Sequence, residues 1–207
     1  LLVGNNTVTV SLKAGSTAST TFKIEVAKLA VDVPTEVAGL VYNGEKQKGV
    51  DEGEHYWLSD NTGTYAANYT ATAELKDKDN TEWSTGGTDN VTIPWSIAPM
   101  TLDGTVLAPT DLTYDGNAKE ATFNRTSGEL FNGDAVTIEY SGDNVNVTEA
   151  GFTATAVLPS GDNYAWADDT APSASFTVTP KPVVIGVTGD LSKTYDGHAV
   201  DRVDRCG

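Results

Sequence analysis

The stretch Tyr69-Thr-Ala-Thr-Ala-Glu-Leu75 returns as Phe152-Thr-Ala-Thr-Ala-Val-Leu158, 83 residues later, with five of the seven positions identical. In both copies every second side chain is apolar, which is the pattern of a β-strand with one buried face. A weaker copy, Thr7-Val-Thr-Val-Ser-Leu12, lies near the start of the chain. A strand motif that returns in this way predicts an array of one repeated β module.

A second marker, Tyr-Asn/Asp-Gly, confirms the register of the repetition. Its three copies are spaced by 72 and 81 residues and lie at Tyr42–Gly44, Tyr114–Gly116 and Tyr195–Gly197. The tyrosine supplies a large ring for the edge of a core, and the glycine accepts a positive φ without steric cost. We therefore interpret each triplet as a structural corner and expect the rings of Tyr42 and Tyr114 to be buried.

The two markers together divide the chain into four parts. Residues 29–99 and 100–181 each contain one full set of markers, and we call them the first segment and the second segment. Residues 1–28 are interpreted as the closing strands of a preceding repeat, and residues 182–207 as the opening strands of a following one. Each full segment is large enough for a modest core of its own.

The fold class predicted from these patterns is all-β, as tandem β-sandwiches, because short alternating strands are separated by Asn-Gly and Asp-Gly turns. Pro94 interrupts the last strand of the first segment and predicts an edge position there. The small side chains of the Thr-Ala-Thr-Ala runs are expected to leave room for rings from an opposing sheet, such as Trp95 or Phe176. Trp83 and Trp166 occupy equivalent positions, which indicates that both have a role in the core or at its rim.

The order of these motifs resembles the bacterial Ig-like surface repeats, including the MBG and YDG-type repeats of cell-wall and secreted adhesin-like proteins. The matching stretches in the first segment are Leu40–Lys48, Tyr69–Leu75, Asn80–Trp83 and Trp95–Pro99. Those in the second are Leu112–Lys119, Phe152–Leu158, Asn163–Trp166 and Phe176–Pro180. The resemblance implies immunoglobulin-like sandwiches that form an extracellular stalk or adhesive part of a bacterial surface protein, with no active-site residues. The pattern is lost in residues 201–207.

Composition restricts the partners. The chain has 29 acidic against 13 basic residues, a formal net charge of -16, so nucleic acid and anionic lipid are expected to be repelled. No stretch is long and apolar enough for membrane insertion. The single cysteine, Cys206, excludes an intrachain disulfide.

No cofactor, metal or catalytic site is predicted. Asp77, Asp79 and Asn80, and the equivalent Asp162 and Asn163, offer oxygen ligands for calcium, but Asx-rich turns have the same composition without a metal. The adjacent acids at 51–52 and 168–169 do not recur at equivalent positions, which argues against glycosidase carboxylates.

The remaining reactive side chains are also assigned no chemistry. The two histidines, His55 and His198, lie in different repeats. A Lys-Asn isopeptide cross-link through Lys48 or Lys119 needs these groups buried with a carboxylic acid, and the predicted inward faces hold none of them. We therefore predict that the chain is not an enzyme.

Two functional hypotheses remain open. The first is a structural spacer that projects a binding domain or contributes to adhesion. The alternative is a glycan- or host-protein-binding module that uses the aromatic residues Tyr56, Trp57 and Tyr65, which have no obvious counterpart in the second segment. Exposure of Tyr56 and Trp57 on one contiguous patch would favour binding, whereas burial of either ring would favour the spacer.

The terminal fragments determine the expected oligomeric state. Residues 1–28 and 182–207 cannot bury their apolar faces unaided. We expect a monomer in which these two fragments stay mobile or hang as a bare hairpin. End-to-end association of complementary fragments from two copies is the alternative.

Overall fold

The computed structural model describes residues 2–11, 19–159, 161–186, 194 and 197. Within these residues every regular element is a β-strand, which confirms the all-β prediction. The strands are β1 (Gly4–Ser11), β2 (Ser19–Val26), β3 (Leu29–Val31), β4 (Gln47–Lys48), β5 (Tyr56–Ser59), β6 (Thr62–Gly63), β7 (Ala67–Leu75), β8 (Thr81–Trp83), β9 (Val91–Ile97), β10 (Met100–Leu107), β11 (Thr122–Ser127), β12 (Thr137–Gly142), β13 (Phe152–Val157), β14 (Tyr164–Trp166) and β15 (Ser173–Phe176). None of the described residues belongs to a helix long and apolar enough to cross a membrane.

In the first segment the central strand β7 lies between β5 and β9 in an antiparallel sheet. The short strands β3 and β8 form a parallel pair, and β4 pairs with β6. The alternation predicted for β7 is present: Ala71, Ala73 and Leu75 are buried, while the residues between them are half-buried or exposed. Such alternation allows one face of a sheet to cover a core while the other meets water.

The second segment repeats the three-stranded antiparallel sheet and the parallel pair. Strand β13 lies between β12 and β15, and β10 pairs with β11 on one side and in parallel with β14 on the other. The parallel pairs correspond in register, because Val31 lies opposite Trp83 in one and Leu102 opposite Trp166 in the other. The predicted equivalence of the two tryptophans therefore extends to their strand partners.

Two predictions about individual strands have different outcomes. Strand β9, which contains Pro94, lies at the edge of its sheet as predicted. The expectation that Trp95 and Phe176 face the Thr-Ala-Thr-Ala runs from an opposing sheet is wrong. Trp95 pairs with Tyr69 on β7, and Phe176 pairs with Phe152 on β13, so each ring belongs to the same sheet as the run. The order of strands along a chain does not reveal which of them become neighbours in one sheet.

Strands β1 and β2 form the bare hairpin that the sequence predicts. They pair with each other over eight residues in an antiparallel two-stranded sheet. Their apolar side chains remain exposed, namely Val8, Val10, Phe22 and Ile24. At the other end, residues 182–186 are described without strand structure and are exposed. The rest of the predicted opening strands, including Tyr195, lies outside the described residues apart from positions 194 and 197.

The buried side chains of the first segment form a cluster that continues into the second. Leu102 and Tyr164 of the second segment are members of this cluster. Half-buried side chains of the second segment, including Leu130, Phe131 and Leu158, pack against it. The two segments therefore share part of one apolar core at their junction.

Candidate functional site

The Tyr42 corner is built by backbone and side-chain hydrogen bonds within the first segment. The Tyr42 N–H donates to the carbonyl of Ala98 at 2.9 Å. The Asn43 side-chain oxygen accepts from the Glu45 N–H at 2.9 Å, which makes an Asx turn. Gly44 completes the turn with a φ of 76°, a conformation that favours glycine. The triplet is therefore hydrogen-bonded to the residue that follows β9, as expected for a structural corner.

The Tyr114 corner has the same local construction. The Tyr114 N–H donates to the carbonyl of Thr179 at 2.8 Å, and the Asp115 carboxylate accepts from the Asn117 N–H at 2.9 Å. Gly116 has a φ of 82°. The two triplets are therefore equivalent in backbone conformation and in the strand end that they contact.

The surroundings of the two tyrosine rings differ completely. The ring of Tyr42 is only 2% exposed because two rings of the second segment cover it. Phe131 and Tyr164 both contact it edge-on, with centroids 5.7 Å and 5.4 Å from its own. Edge-on pairs at these separations are a favourable arrangement of aromatic quadrupoles. The junction between the segments is therefore centred on Tyr42.

A turn of the second segment, residues 131–134, shapes the other side of this junction. Asn132 and Gly133 both have positive φ, 56° and 82°, and the Asp134 N–H donates to the Phe131 carbonyl at 2.9 Å. These features match the Asn-Gly type I′ turn. The turn places the Asn132 amide 3.4 Å from the Gly44 carbonyl. It also places the Phe131 side chain so close that a Cβ added at Gly44 would lie 2.8 Å from it.

The hydroxyl of Tyr164 holds this turn in position. It accepts from the Phe131 N–H and donates to a carboxylate oxygen of Asp134, both at 2.9 Å. Burial raises the pKa of Tyr164 to about 12, and the charge of Asp134 contributes to the rise. A further bond, from the Ala66 N–H to the Asn163 side-chain oxygen at 2.9 Å, joins the segments beside the rings. The junction is therefore both apolar and hydrogen-bonded.

The predicted burial of Tyr42 is confirmed and that of Tyr114 is wrong. Tyr114 is 39% exposed, although its corner is locally the same. The rings that bury Tyr42 belong to the segment that follows it, whereas Tyr114 is bonded to Thr179, near the last residue of the second segment. The burial of such a corner therefore depends on a neighbouring segment and not on the triplet itself.

Sequence reasoning did not identify Phe131, Asp134 and Tyr164 as junction residues. The sequence contains one indication for Tyr164. In the equivalent position of the first segment stands Thr81, so the second segment has a large aromatic residue where the first has a small polar one. Phe131 directly precedes an Asn-Gly turn, which also marks an exposed tip. Neither signal reveals that the two side chains meet Tyr42.

The three aromatic residues of the alternative hypothesis do not form one patch. Trp57 is 64% exposed, and the Lys76 ammonium lies 4.4 Å from the centre of its ring, a cation–π contact. Tyr56 points to the opposite face of the same strand, where its ring lies 5.9 Å from that of the buried Trp83. Burial raises the pKa of Tyr56, and the charge of Asp51 contributes.

Tyr65 is also exposed, at 63%, but it lies at the other end of the sheet. It precedes β7, which begins at Ala67, whereas Trp57 lies opposite Glu74 on that strand. The rise of a strand separates Ala67 from Glu74 by about 23 Å. The predicted platform of Tyr56, Trp57 and Tyr65 is therefore not one patch. Tyr56 and Trp57 both line a cleft of 300 Å³ beside Lys76, with Tyr56 half-buried and Trp57 exposed, and Tyr65 is not part of it.

The acidic loops use their side chains to build turns. The Asp77 carboxylate accepts from the backbone and side-chain amides of Asn80 and from the Asp79 N–H. These bonds lower the pKa of Asp77, with the Asn80 side chain as the main cause. Asp143 makes the same pattern with Val145 and Asn146, and its pKa is lowered mainly by the hydrogen bond from the Asn146 backbone N–H. In the part of the chain that the structure describes, no three His, Cys, Asp or Glu side chains are grouped as a metal would require.

Lys119 corrects another expectation. It is buried, although the predicted inward faces held no lysine. Its ammonium lies 3.1 Å from the Asp115 carboxylate in the Tyr114 corner, so the pairing satisfies its charge while its aliphatic stem is covered. Lys48, by contrast, is exposed and lies 3.7 Å from Glu52. Local alternation did not predict this burial because Lys119 lies outside the regular strands.

Comparison of the chain with protein-family models, with curated proteins and with solved structures finds no match to any of them.

Proposed function

We propose that the chain is a non-catalytic structural spacer, made of tandem immunoglobulin-like β-sandwich modules, of a bacterial cell-surface or secreted protein. In this role the first and second segments are two modules that hold a binding region away from its point of attachment and contribute to adhesion. The extracellular location and the bacterial origin rest on the resemblance of the motifs to Ig-like surface repeats.

The observation that carries the proposal is the junction at Tyr42. A spacer needs neighbouring modules that keep a constant orientation, because a freely hinged array does not project its end. Tyr42 is covered by Phe131 and Tyr164. The Ala66–Asn163 hydrogen bond adds a directional link at the same place. Buried aromatic contact together with hydrogen bonds between segments restricts their relative motion.

The charge of the chain is consistent with the same role. A net charge of -16 keeps a long surface protein soluble and opposes binding to nucleic acid. Two classes of partner remain for adhesion, a glycan or a host surface protein.

NMR relaxation of backbone amides in the full chain tests the spacer. Because a stiff junction makes the two segments tumble together, their amides should give one rotational correlation time. Tyr42→Ala should separate the values for the two segments, whereas Tyr114→Ala is the matched control and should leave them equal. Independent tumbling of the segments in the unaltered chain would refute the spacer.

The second candidate function is glycan binding at Trp57. The observation that favours it is a mostly exposed indole ring beside a cleft, with the Lys76 ammonium at 4.4 Å. Sugar rings stack on exposed aromatic faces of this kind. A glycan array probed with the full chain tests it: binding that disappears in Trp57→Ala but persists in Tyr65→Ala supports this site. Binding that survives Trp57→Ala would exclude it.

A further inference from the structure

The Tyr42 and Tyr114 corners share the same local hydrogen bonds, but they differ in the side chains that pack over the tyrosine ring. The Tyr42 corner lies under Phe131 and Tyr164, whereas the Tyr114 corner is left 39% exposed. The space beside each glycine shows the same contrast. A Cβ added at Gly44 would lie 2.8 Å from the Phe131 side chain, while one added at Gly116 would meet nothing within 4 Å. The surface that Phe131 and Tyr164 cover at the Tyr42 corner is therefore exposed at the Tyr114 corner.

The residues that follow the second segment have the sequence spacing expected for another junction. Ala98 and Thr179, the strand ends that accept the corner hydrogen bonds, are 81 residues apart, and so are the triplets at Tyr114 and Tyr195. By this spacing Val183 occupies the position of Leu102, which is fully buried in the opening strand of the second segment. Val183 is exposed, and so are Val184 and Ile185. The apolar residues Val183, Val184 and Ile185 therefore lie at the sequence positions that correspond to the beginning of β10 in the second segment.

We propose that the outer corner, formed by Tyr114, Asp115 and Gly116, is the docking surface for a further β-sandwich module whose opening strand begins at residue 181. That module covers the Tyr114 ring with an aromatic pair equivalent to Phe131 and Tyr164, carried by a turn and a short strand. The inference rests on the proposed spacer function and extends it to the next junction of the array. The recognition chemistry is the one present at Tyr42, namely two edge-on aromatic contacts and a turn fitted against a glycine.

The test is an extended chain in which residues 181–207 are replaced by a second copy of residues 100–181. The added copy brings its own Phe131 and Tyr164 to the Tyr114 corner in the register of the existing junction. The probe is nitration of the intact Tyr114 ring, in the 207-residue chain and in the extended chain, where Tyr114→Phe in the added copy leaves one tyrosine at this type of corner. The rate of nitration of Tyr114, followed by peptide mass spectrometry, should be at least about tenfold lower in the extended chain, because a covered corner excludes the reagent.

Two controls make the result specific. Phe131→Ala in the added copy alone should restore fast nitration of Tyr114, whereas Trp57→Ala should not change the rate. Amide hydrogen exchange at Gly116 in the two chains provides the same comparison without a covalent reagent, and protection in the extended chain is expected.

Equal nitration and equal exchange in both chains, with the added copy folded by circular dichroism, would overturn the proposal. Protection that rises with the concentration of the 207-residue chain would identify a second copy as the occupant and would also overturn it. Either result is separable from failure of the spacer function, since the relaxation test concerns the Tyr42 junction and is made without an added copy.

Discussion

The ring of Tyr42 packs edge-on against the ring of Tyr164, with centroids 5.4 Å apart, although the two residues belong to different segments of the chain. Tyr164 also holds the turn that carries Phe131, through hydrogen bonds to the Phe131 N–H and the Asp134 carboxylate. One contact therefore links the corner of the first segment to the turn of the second. The contribution of this contact to the free energy of unfolding can be measured, because the Tyr114 corner has the same local structure but lacks the two covering rings.

Tyr42→Ala should lower the free energy of unfolding by about 3 to 5 kcal/mol, the usual cost of deleting a buried aromatic side chain. Tyr114→Ala is the matched change at an equivalent corner and should cost about 1 kcal/mol, because its ring is partly solvated already. Chemical denaturation of the full chain measures both. Equal losses at the two positions would contradict the assignment of Tyr42 to a shared core.

Gly44→Ala should be more damaging than Gly116→Ala. Both glycines have positive φ, 76° and 82°, so alanine at either position is strained by about 1 to 2 kcal/mol. At Gly44 the new methyl group would also press on Phe131 at 2.8 Å, which adds about 1 to 3 kcal/mol of overpacking. Thermal unfolding of the two variants gives the comparison, and a Gly116→Ala variant as unstable as Gly44→Ala would argue against the contact.

Stability should fall at alkaline pH in part because of Tyr164. Its pKa is raised from 10.0 to about 12 in the folded chain, so the folded state keeps its proton where the unfolded state loses it. The contribution is fully present below pH 10 and is lost as the pH rises toward 12. Tyr164→Phe, which retains the ring, should weaken this dependence when unfolding is followed between pH 9 and 12. An unchanged pH profile would show that the hydroxyl does not titrate as its burial requires.

The turn-forming aspartates should titrate at low pH. Hydrogen bonds from Asn80 and Asn146 hold the pKa values of Asp77 and Asp143 below the ordinary 3.8. Their stabilising effect is present above the ordinary pKa and is lost as the pH falls through the lowered values. Carboxyl carbon shifts in an NMR titration measure the midpoints directly. Asn80→Ala should move the Asp77 midpoint upward and leave that of Asp143 unchanged.

Trp83 and Trp57 should respond in opposite ways to truncation. Trp83 is buried, and its indole N–H donates to the Asp89 carbonyl at 2.7 Å, so Trp83→Ala should cost about 3 to 5 kcal/mol of unfolding free energy. Trp57→Ala removes an exposed ring and a cation–π contact, and about 1 kcal/mol is expected. Denaturant titration compares them. A large loss at Trp57 would assign the ring a structural role instead of a binding role.

The sequence by itself determined the features that depend on neighbours along the chain. Alternation in Tyr69–Leu75 predicted a strand with one buried face, because side-chain period reflects a local pattern. The Asn-Gly and Asp-Gly dipeptides at 43–44, 115–116 and 132–133 predicted turns, whereas the turn predicted at Asp103-Gly104 is wrong, because this pair lies at an irregularity within β10. The edge position of the Pro94 strand followed from a missing N–H donor. The equivalence of Trp83 and Trp166 followed from the register of the repeated markers.

Tertiary structure alone decided the features that depend on distant residues. Identical local turns at Tyr42 and Tyr114 have different burial, because the covering rings come from another segment, 89 and 122 residues after Tyr42. Trp57 and Tyr65 are close along the chain, yet the sheet separates them by most of the length of β7. Lys119 is buried beside a distant stretch of the chain, where its N–H donates to the Asn144 carbonyl at 2.8 Å. Burial is a property of what surrounds a side chain in space, and no local pattern contains that information.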